Sequence, residues 1–376
     1  MQKRTGLRAY DEIVQAATVK QLARECGFEL AGVAAAAPLT DDIAHYQAWI
    51  NAGMAGKMSY LADHRADVRR DPRNLLASAR SVICVGKLYN TPASDSADDT
   101  ALIAKYARGR DYHDVLRERL EELARRIYAE EAHEWRVCVD TAPLLERSYA
   151  REAGLGWIGR NQCLINEPQG SWFVLGELLT SLAIAPDTPP PDRCGTCSRC
   201  IDACPTQAIL PNAAGEWTLD ARRCIAYLNI ELHGAIPEEL RQAMGANVYG
   251  CDICQDVCPW NRRAPETSDP AFLEDFGASP ALESLAYLTA EEFRARYRHT
   301  PVTRPKYDGF LRNVAVAMGA SGEERYRQPL EHLARHASAL VAEHAQWALR
   351  QLKLEHLVAE NVEIEQRKAC VEAPHS

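Results

Sequence analysis

Apolar residues recur along this chain with two different periods. Residues 11–26 alternate apolar and charged positions at helical spacing, and Gly27 is a suitable stop. SVICVGKLY at 81–89 is nearly all apolar and has strand length, the pattern of a buried strand. Leu116, Leu120, Leu123 and Ile127 share one face of a helix expected over 113–131. WRVCV at 135–139 predicts another short strand, ending at Asp140. A helix is expected from about Pro143, with Asp140 or Thr141 near its N-cap and Gly154 just past its end. Residues 172–179 read as a further strand. Together these elements predict a mixed α/β domain over residues 1–185.

The pattern then changes. APDTPPPDR at 185–193 is a proline-rich linker. A cysteine-rich module follows over 186–265, and a helical segment over 266–376, so the chain reads as α+β and multidomain. In the last segment RNVAVAMG (312–319) and EHAQWALR (343–350) are offset by 31 residues, with a further helix expected over 325–336. That spacing resembles HEAT-like stacked helical hairpins; a generic helical tail is the simpler alternative.

Eight cysteines carry the clearest chemistry. Cys194, Cys197, Cys200 and Cys204-Pro205 are spaced x2, x2, x3; then come Cys224, and Cys251, Cys254 and Cys258-Pro259. Eight thiolates suit two [4Fe–4S] clusters, and the first run has bacterial two-cluster ferredoxin spacing, in which the cysteine before proline crosses to the other cluster. One cluster is therefore expected on Cys194, Cys197, Cys200 and Cys258. The other is expected on Cys204, Cys224, Cys251 and Cys254, with Cys224 reaching in for the cysteine the second run lacks. Two structural zinc sites are the competing reading, and Cys-Pro endings in an x2/x2/x3 rhythm argue against it. Cys26, Cys84, Cys138, Cys163 and Cys370 are scattered; Cys84 and Cys138 fall in the strand-like runs as small buried hydrophobes.

The net charge of −9 and a hydrophobic fraction of 47% describe a globular chain that does not bind nucleic acid indiscriminately. Local basic stretches remain: Arg294, Arg296, Arg298, Arg304, Lys306 and Arg312, and a second set of Arg65, Arg69, Arg70 and Arg73. From charge alone each is a solvated face. No run of 18 apolar residues predicts a membrane span, and the first residues lack an apolar export segment and a twin-arginine pair. With its free thiols the chain is expected in the cytoplasm, as a monomer and without a membrane.

Two motifs mislead. Gly154-Leu-Gly156-Trp-Ile-Gly159 matches GxGxxG but follows a helix and leads toward a strand, the reverse of a dinucleotide fingerprint. Its glycines are expected to serve a tight reversal or a close approach to backbone. Asp111-Tyr-His113 resembles the start of a cobalamin-ligating Asp-x-His-x-x-Gly motif, but Leu116 stands where glycine is needed. His113 is expected near a helix start, making local hydrogen bonds.

Three longer segments resemble one family. They are Val139-Asp140-Thr141-Ala142-Pro143 through Arg147, continuing at Ala153-Gly154-Leu155-Gly156-Trp157 through Asn161; Gly109 through His113; and Tyr249-Gly250-Cys251-Asp252 through Asn261. These look like signatures of the epoxyqueuosine reductases, and the order of α/β half, double-cluster module and helical tail matches over nearly the whole chain. The resemblance implies reduction of epoxyqueuosine to queuosine at the tRNA wobble position, with cobalamin and two [4Fe–4S] clusters fed by an external electron donor. It implies Asp140 as proton donor to the leaving oxygen, against the plain reading of Asp140 as a helix cap. An apolar macrocycle over the pocket would raise its pKa and keep it protonated. Cobalamin contacts are implied at Ala104, Lys105, Leu164, Leu175, Tyr227, Asn229, Ile230 and Asp252, besides Asp140. A tRNA partner turns the basic residues from Arg294 to Arg312 into candidate phosphate contacts. A corrinoid reductive dehalogenase and a ferredoxin-type electron carrier are the alternatives. The first lacks its usual export signal here, and the second leaves the α/β half unexplained.

Overall fold

The computed structural model describes residues 15–92, 100–273 and 280–353. Residues 11–14 of the first expected helix, and Cys370, lie outside these. Within them that helix spans Ala16–Glu25 and ends before Gly27, whose φ is +88°. The apolar run at 81–89 forms the strand Ser81–Leu88, buried at all eight positions. It stands inside a four-stranded antiparallel sheet in the order Leu30–Ala35, Ser81–Leu88, Phe173–Thr180, Trp135–Cys138.

Two layers of helix explain why that strand is apolar at successive positions. Ile83 and Val85 pack with Val19, Ala23, Leu116 and Leu120, from the helices Ala16–Glu25 and Tyr112–Glu130. Val82 and Cys84, pointing the other way, pack with Tyr149 and Ala150 of the helix Glu146–Glu152. A strand covered on both faces has no polar side to show. The sheet is antiparallel, so the first half is α+β in detail rather than an alternating parallel α/β unit.

The expected helix from Pro143 begins later, at Glu146. Between strand and helix the chain makes two tight reversals, with Thr141 N–H donating to the Val139 carbonyl at 2.5 Å and Leu144 N–H to the Ala142 carbonyl at 2.8 Å. Asp140 therefore caps no helix; it holds a left-handed φ of +47°. The GxGxxG segment does make a close approach: a Cβ on Gly156 would sit 2.2 Å from the Ile165 carbonyl oxygen.

The boundaries at 185 and 265 do not separate cores. Ala101, Ile103 and Ala107 share one apolar cluster with Ile225 through Tyr249 and with the tail residues Phe310 through Leu352. Leu102–Ile103 also pairs in parallel with Asn247–Tyr249. In the tail, the helices Lys306–Ser321, Arg327–Leu333 and 339–353 pack together, and Gly319 lies so close to Ala348 that an added Cβ would clash at 2.6 Å. No described helix is long and apolar enough to cross a membrane.

One expected tRNA contact is corrected by this packing. Arg312 is fully buried. Its guanidinium donates to the carbonyls of Leu232 at 2.5 Å, Gly234 at 2.6 Å and Leu228 at 2.9 Å, and to Asn313 Oδ1 at 2.8 Å. Those carbonyls border the single π-type turn Tyr227–Glu231, where regular helical partners run out. Arg312 satisfies them and reaches no phosphate. Replacing it by alanine is expected to destabilise the protein by about 3 kcal/mol, because three buried acceptors lose their donor. Urea unfolding measures this, and the salt dependence of tRNA binding should not change.

Candidate functional site

A cleft of about 230 Å³ opens where the sheet half, the cysteine module and the tail meet. The sheet half contributes Asp111, His113 and Asp140; the segment after Cys224 gives Ile230 and Glu231; Tyr249 precedes Cys251; the tail gives Pro301, Thr303 and Arg304. Tyr60, Tyr106 and Tyr112 complete the wall.

Its polar residues form one chain of contacts. Asp111 caps the helix Tyr112–Glu130 and lies 2.6 Å from His113 Nδ1. His113 Nε2 lies 3.0 Å from Asp140 Oδ2. Arg304 donates to the same oxygen at 3.4 Å and pairs with Glu231 at 2.8 Å. Burial lowers the pKa of His113, but hydrogen bonds and charge from Asp111 and Asp140 overcome it and lift His113 to about 9. For Asp140 burial pushes upward, and His113 and Arg304 together win, holding it below the usual carboxylate range. In the cleft without a macrocycle over it, these two cations decide the charge of Asp140. Near neutrality the mobile proton of the pair resides on His113.

The sequence reading set His113 aside for want of a downstream glycine, and its importance becomes visible only once Asp140 is folded beside it. Arg304, expected on a phosphate-binding face, is a wall of the cleft. The rest of that segment does not line it. Arg294, Arg298 and Lys306 are exposed, and Arg296 lies over the ring of Tyr297. Among the described residues no carboxylate pairs with these four. The segment is nevertheless tied to the cleft, since Asp111 N–H donates to the His299 carbonyl at 2.7 Å. The second basic set is neutralised locally: Arg65, Arg70 and Arg73 pair with Asp63, Asp67 and Asp71, and Arg69 is buried.

The residues expected around cobalamin divide. Ile230 lines the cleft. Asp252 accepts the Lys105 N–H at 2.7 Å, and burial pushes its pKa up to about 6. Lys105 Nζ lies 4.4 Å from the centre of the Trp172 ring, and Ala104 is buried beside it. The Tyr227 hydroxyl accepts the Lys57 N–H. Leu164 and Leu175 belong to the apolar layer under the sheet. Asn229 is fully buried, and its side chain is used by the Asn247 and Gly250 carbonyls and the Gly250 N–H.

Three of the cysteines have others of the eight as neighbours. Cys200 has Cys194, Cys197 and Cys258 around it. Cys251 has Cys224 and Cys204, and Cys254 has Cys251 and Cys224. Burial, then mutual repulsion, pushes Cys200 up to about 11; burial with the same repulsion pushes Cys251 up to about 12. Thiols so placed ionise only against strong positive charge, which iron supplies. Cys163, scattered in the sequence, lies against Cys254.

Comparison with known proteins agrees with this geometry. Residues 193–261 match the family described as 4Fe-4S double cluster binding domain, and residues 69–141 match "Epoxyqueuosine reductase QueG, DUF1730". A protein of Xanthomonas campestris pv. campestris named epoxyqueuosine reductase is 45% identical over 89% of this chain and 96% of its own. One of that name from Pseudomonas aeruginosa is 41% identical over 89% of this chain and 94% of its own. A crystal structure of a selenomethionine-labelled epoxyqueuosine reductase superposes with TM-score 0.82 at 27% identity, covering 89% of this chain and 90% of that one. Another, with an epoxyqueuosine-modified tRNA-Tyr stem loop, gives TM-score 0.78 at 25% identity over 90% of this chain and 98% of that one.

The crossed sets carry a direct expectation. Cys204→Ala should remove the cluster of Cys224, Cys251 and Cys254, and Cys258→Ala that of Cys194, Cys197 and Cys200. Cluster-resolved electron paramagnetic resonance reads both; loss of the sequence-neighbour cluster instead would refute the crossing.

Proposed function

We propose, from the premise that this chain belongs to the epoxyqueuosine reductase family, that it reduces epoxyqueuosine to queuosine in tRNA. Turning an epoxide into an alkene consumes two electrons and two protons and releases water. Two [4Fe–4S] clusters, held by the eight cysteines, would supply those electrons one at a time from an external donor. Cobalamin, when bound, would supply low-valent cobalt as the reductant of a strained C–O bond. The residues suit such a macrocycle: aromatic walls, the apolar side chain of Ile230 and a buried carboxyl, Asp252, of raised pKa. Ala104, Lys105, Leu164, Leu175, Tyr227, Ile230 and Asp252 are the residues that would hold it.

The observation that carries the reading is the Asp140 carboxylate, 3.0 Å from protonated His113 and facing the cleft with 36% of its side chain exposed. A proton held on His113 Nε2 passes to Asp140 Oδ2, and Asp140 delivers it to the leaving oxygen. Arg304 and Glu231 keep the position of Asp140 fixed while its charge changes. The helical tail acts as a HEAT-like scaffold, with Arg294, Arg296, Arg298 and Lys306 on the phosphates that flank the unstacked nucleotide. The protein works as a monomer in the cytoplasm, away from membranes.

The reading is tested with purified protein carrying clusters and cobalamin, by following loss of the epoxide from a modified tRNA stem loop. Asp140→Asn should keep both cofactors and lose about 100-fold or more in kcat, because an amide is no acid at this site. Wild-type turnover in this variant under saturating reductant would remove Asp140 from the proton path. Exchanging Arg294, Arg298 and Lys306 for glutamine should weaken tRNA binding. The log–log salt slope should shrink by up to about one unit per lost contact, as affinity at several salt concentrations will show.

A further inference from the structure

Two carboxyl groups lie next to Asp140 without lining the cleft. Glu146 opens the helix Glu146–Glu152, and its Oε1 accepts the backbone N–H of Asp140 at 2.5 Å. Glu177 lies on the central strand Phe173–Thr180, in register between Cys84 and Cys138, and is fully buried. Neither oxygen of Glu177 makes a hydrogen bond of ordinary geometry, although the carboxyl faces that of Glu146. A buried carboxylate with no donor is too costly to persist, so Glu177 keeps its proton.

The backbone of Asp140 explains what this pair does. A non-glycine residue at φ +47° costs roughly 1–3 kcal/mol and persists only where its surroundings hold it. The side chain is held by His113 and Arg304, and the peptide N–H by Glu146. The geometry points to Glu146 as a positioning residue for the reduction: it latches the Asp140 backbone in the conformation that aims the carboxylate at His113, and buried Glu177 lies against it from the sheet. This deepens the reading of Asp140 given above and rests on it.

The charges around the latch fix its pH dependence. Glu146 faces Asp140 and Glu177, with Arg147 as an opposing cation; burial and then the charge of Asp140 push its pKa up. Around Glu177 stand Glu146, Asp140 and the thiols Cys84 and Cys138, and burial and then the charge of Glu146 push it up further. A raised carboxyl pKa means that Glu146 is neutral at low pH and ionises as pH rises, while its oxygen accepts the Asp140 N–H in either state. Ionised Glu146 would place a second negative charge beside Asp140 and make it a weaker acid. Activity should therefore fall in two alkaline steps, the lower from the glutamate pair and the upper as His113 deprotonates at about 9.

The test uses the cofactor-loaded protein and the modified stem loop. Glu146→Ala should lose at least about tenfold in kcat, with KM changed less than about twofold. Glu146→Gln keeps the acceptor but cannot ionise. It should recover kcat to within about threefold of wild type and lack the lower alkaline step. Infrared spectra near neutral pH should show a protonated-carboxyl band that disappears in Glu177→Gln, a readout independent of turnover. Wild-type kcat in Glu146→Ala, an unchanged pH profile in Glu146→Gln, or no band lost in Glu177→Gln would each overturn the proposal. Wild-type protein inactive in the same assay would overturn the functional reading as well, whereas failure confined to the glutamate variants would overturn this inference alone.

Discussion

The need to give every buried polar group a partner governs this molecule more than any apolar contact. After Cys224 the chain takes a single π-type turn and then an irregular path to residue 234, which leaves carbonyls inside the protein without helical donors. The guanidinium of Arg312 and the amide of Asn313 supply them, the latter reaching the carbonyls of Asn229 and Val248 at 2.7 and 2.9 Å. These bonds lock the tail helix onto the segment between the cysteines. That docking places the turn before the helix, with Arg304, over Asp140.

Charge in the cleft is organised by the same logic. Asp140 sits between two cations, and the cations between further carboxylates, Asp111 and Glu231. Alternating signs favour the charged forms of Asp111, His113, Asp140 and Arg304 although all are partly buried. Behind this row stand Glu146 and Glu177, whose pKa values burial and neighbouring negative charge raise.

Much of this was legible in the chain. Strand Ser81–Leu88 and helix Tyr112–Glu130 follow from periods that a single element imposes on its own sequence. The cysteine spacing encodes a local loop geometry, and the double-cluster module read from it is matched over residues 193–261. The arginines were not separable in the same way. Arg298, Arg304 and Arg312 look alike in sequence, yet one is exposed, one walls the cleft and one is fully buried. Only contacts with residues far away in the chain distinguish them. His113 and Asp140 are 27 positions apart, and no periodicity links the start of a helix to the end of a strand. The later start of the helix after Asp140 reflects two tight reversals that cap preferences do not encode.

The interleaving of the three segments also constrains the order of events at the ribosome. Strand Leu102–Ile103 waits for Asn247–Tyr249, and the carbonyls of Leu228, Leu232 and Gly234 wait for Arg312. Contacts of such long sequence separation close late. The cysteine loops are therefore synthesised, and able to receive iron and sulfide, while the wall that will cover them is still unmade. Translation itself leaves an interval for cofactor loading before the tail shuts the fold.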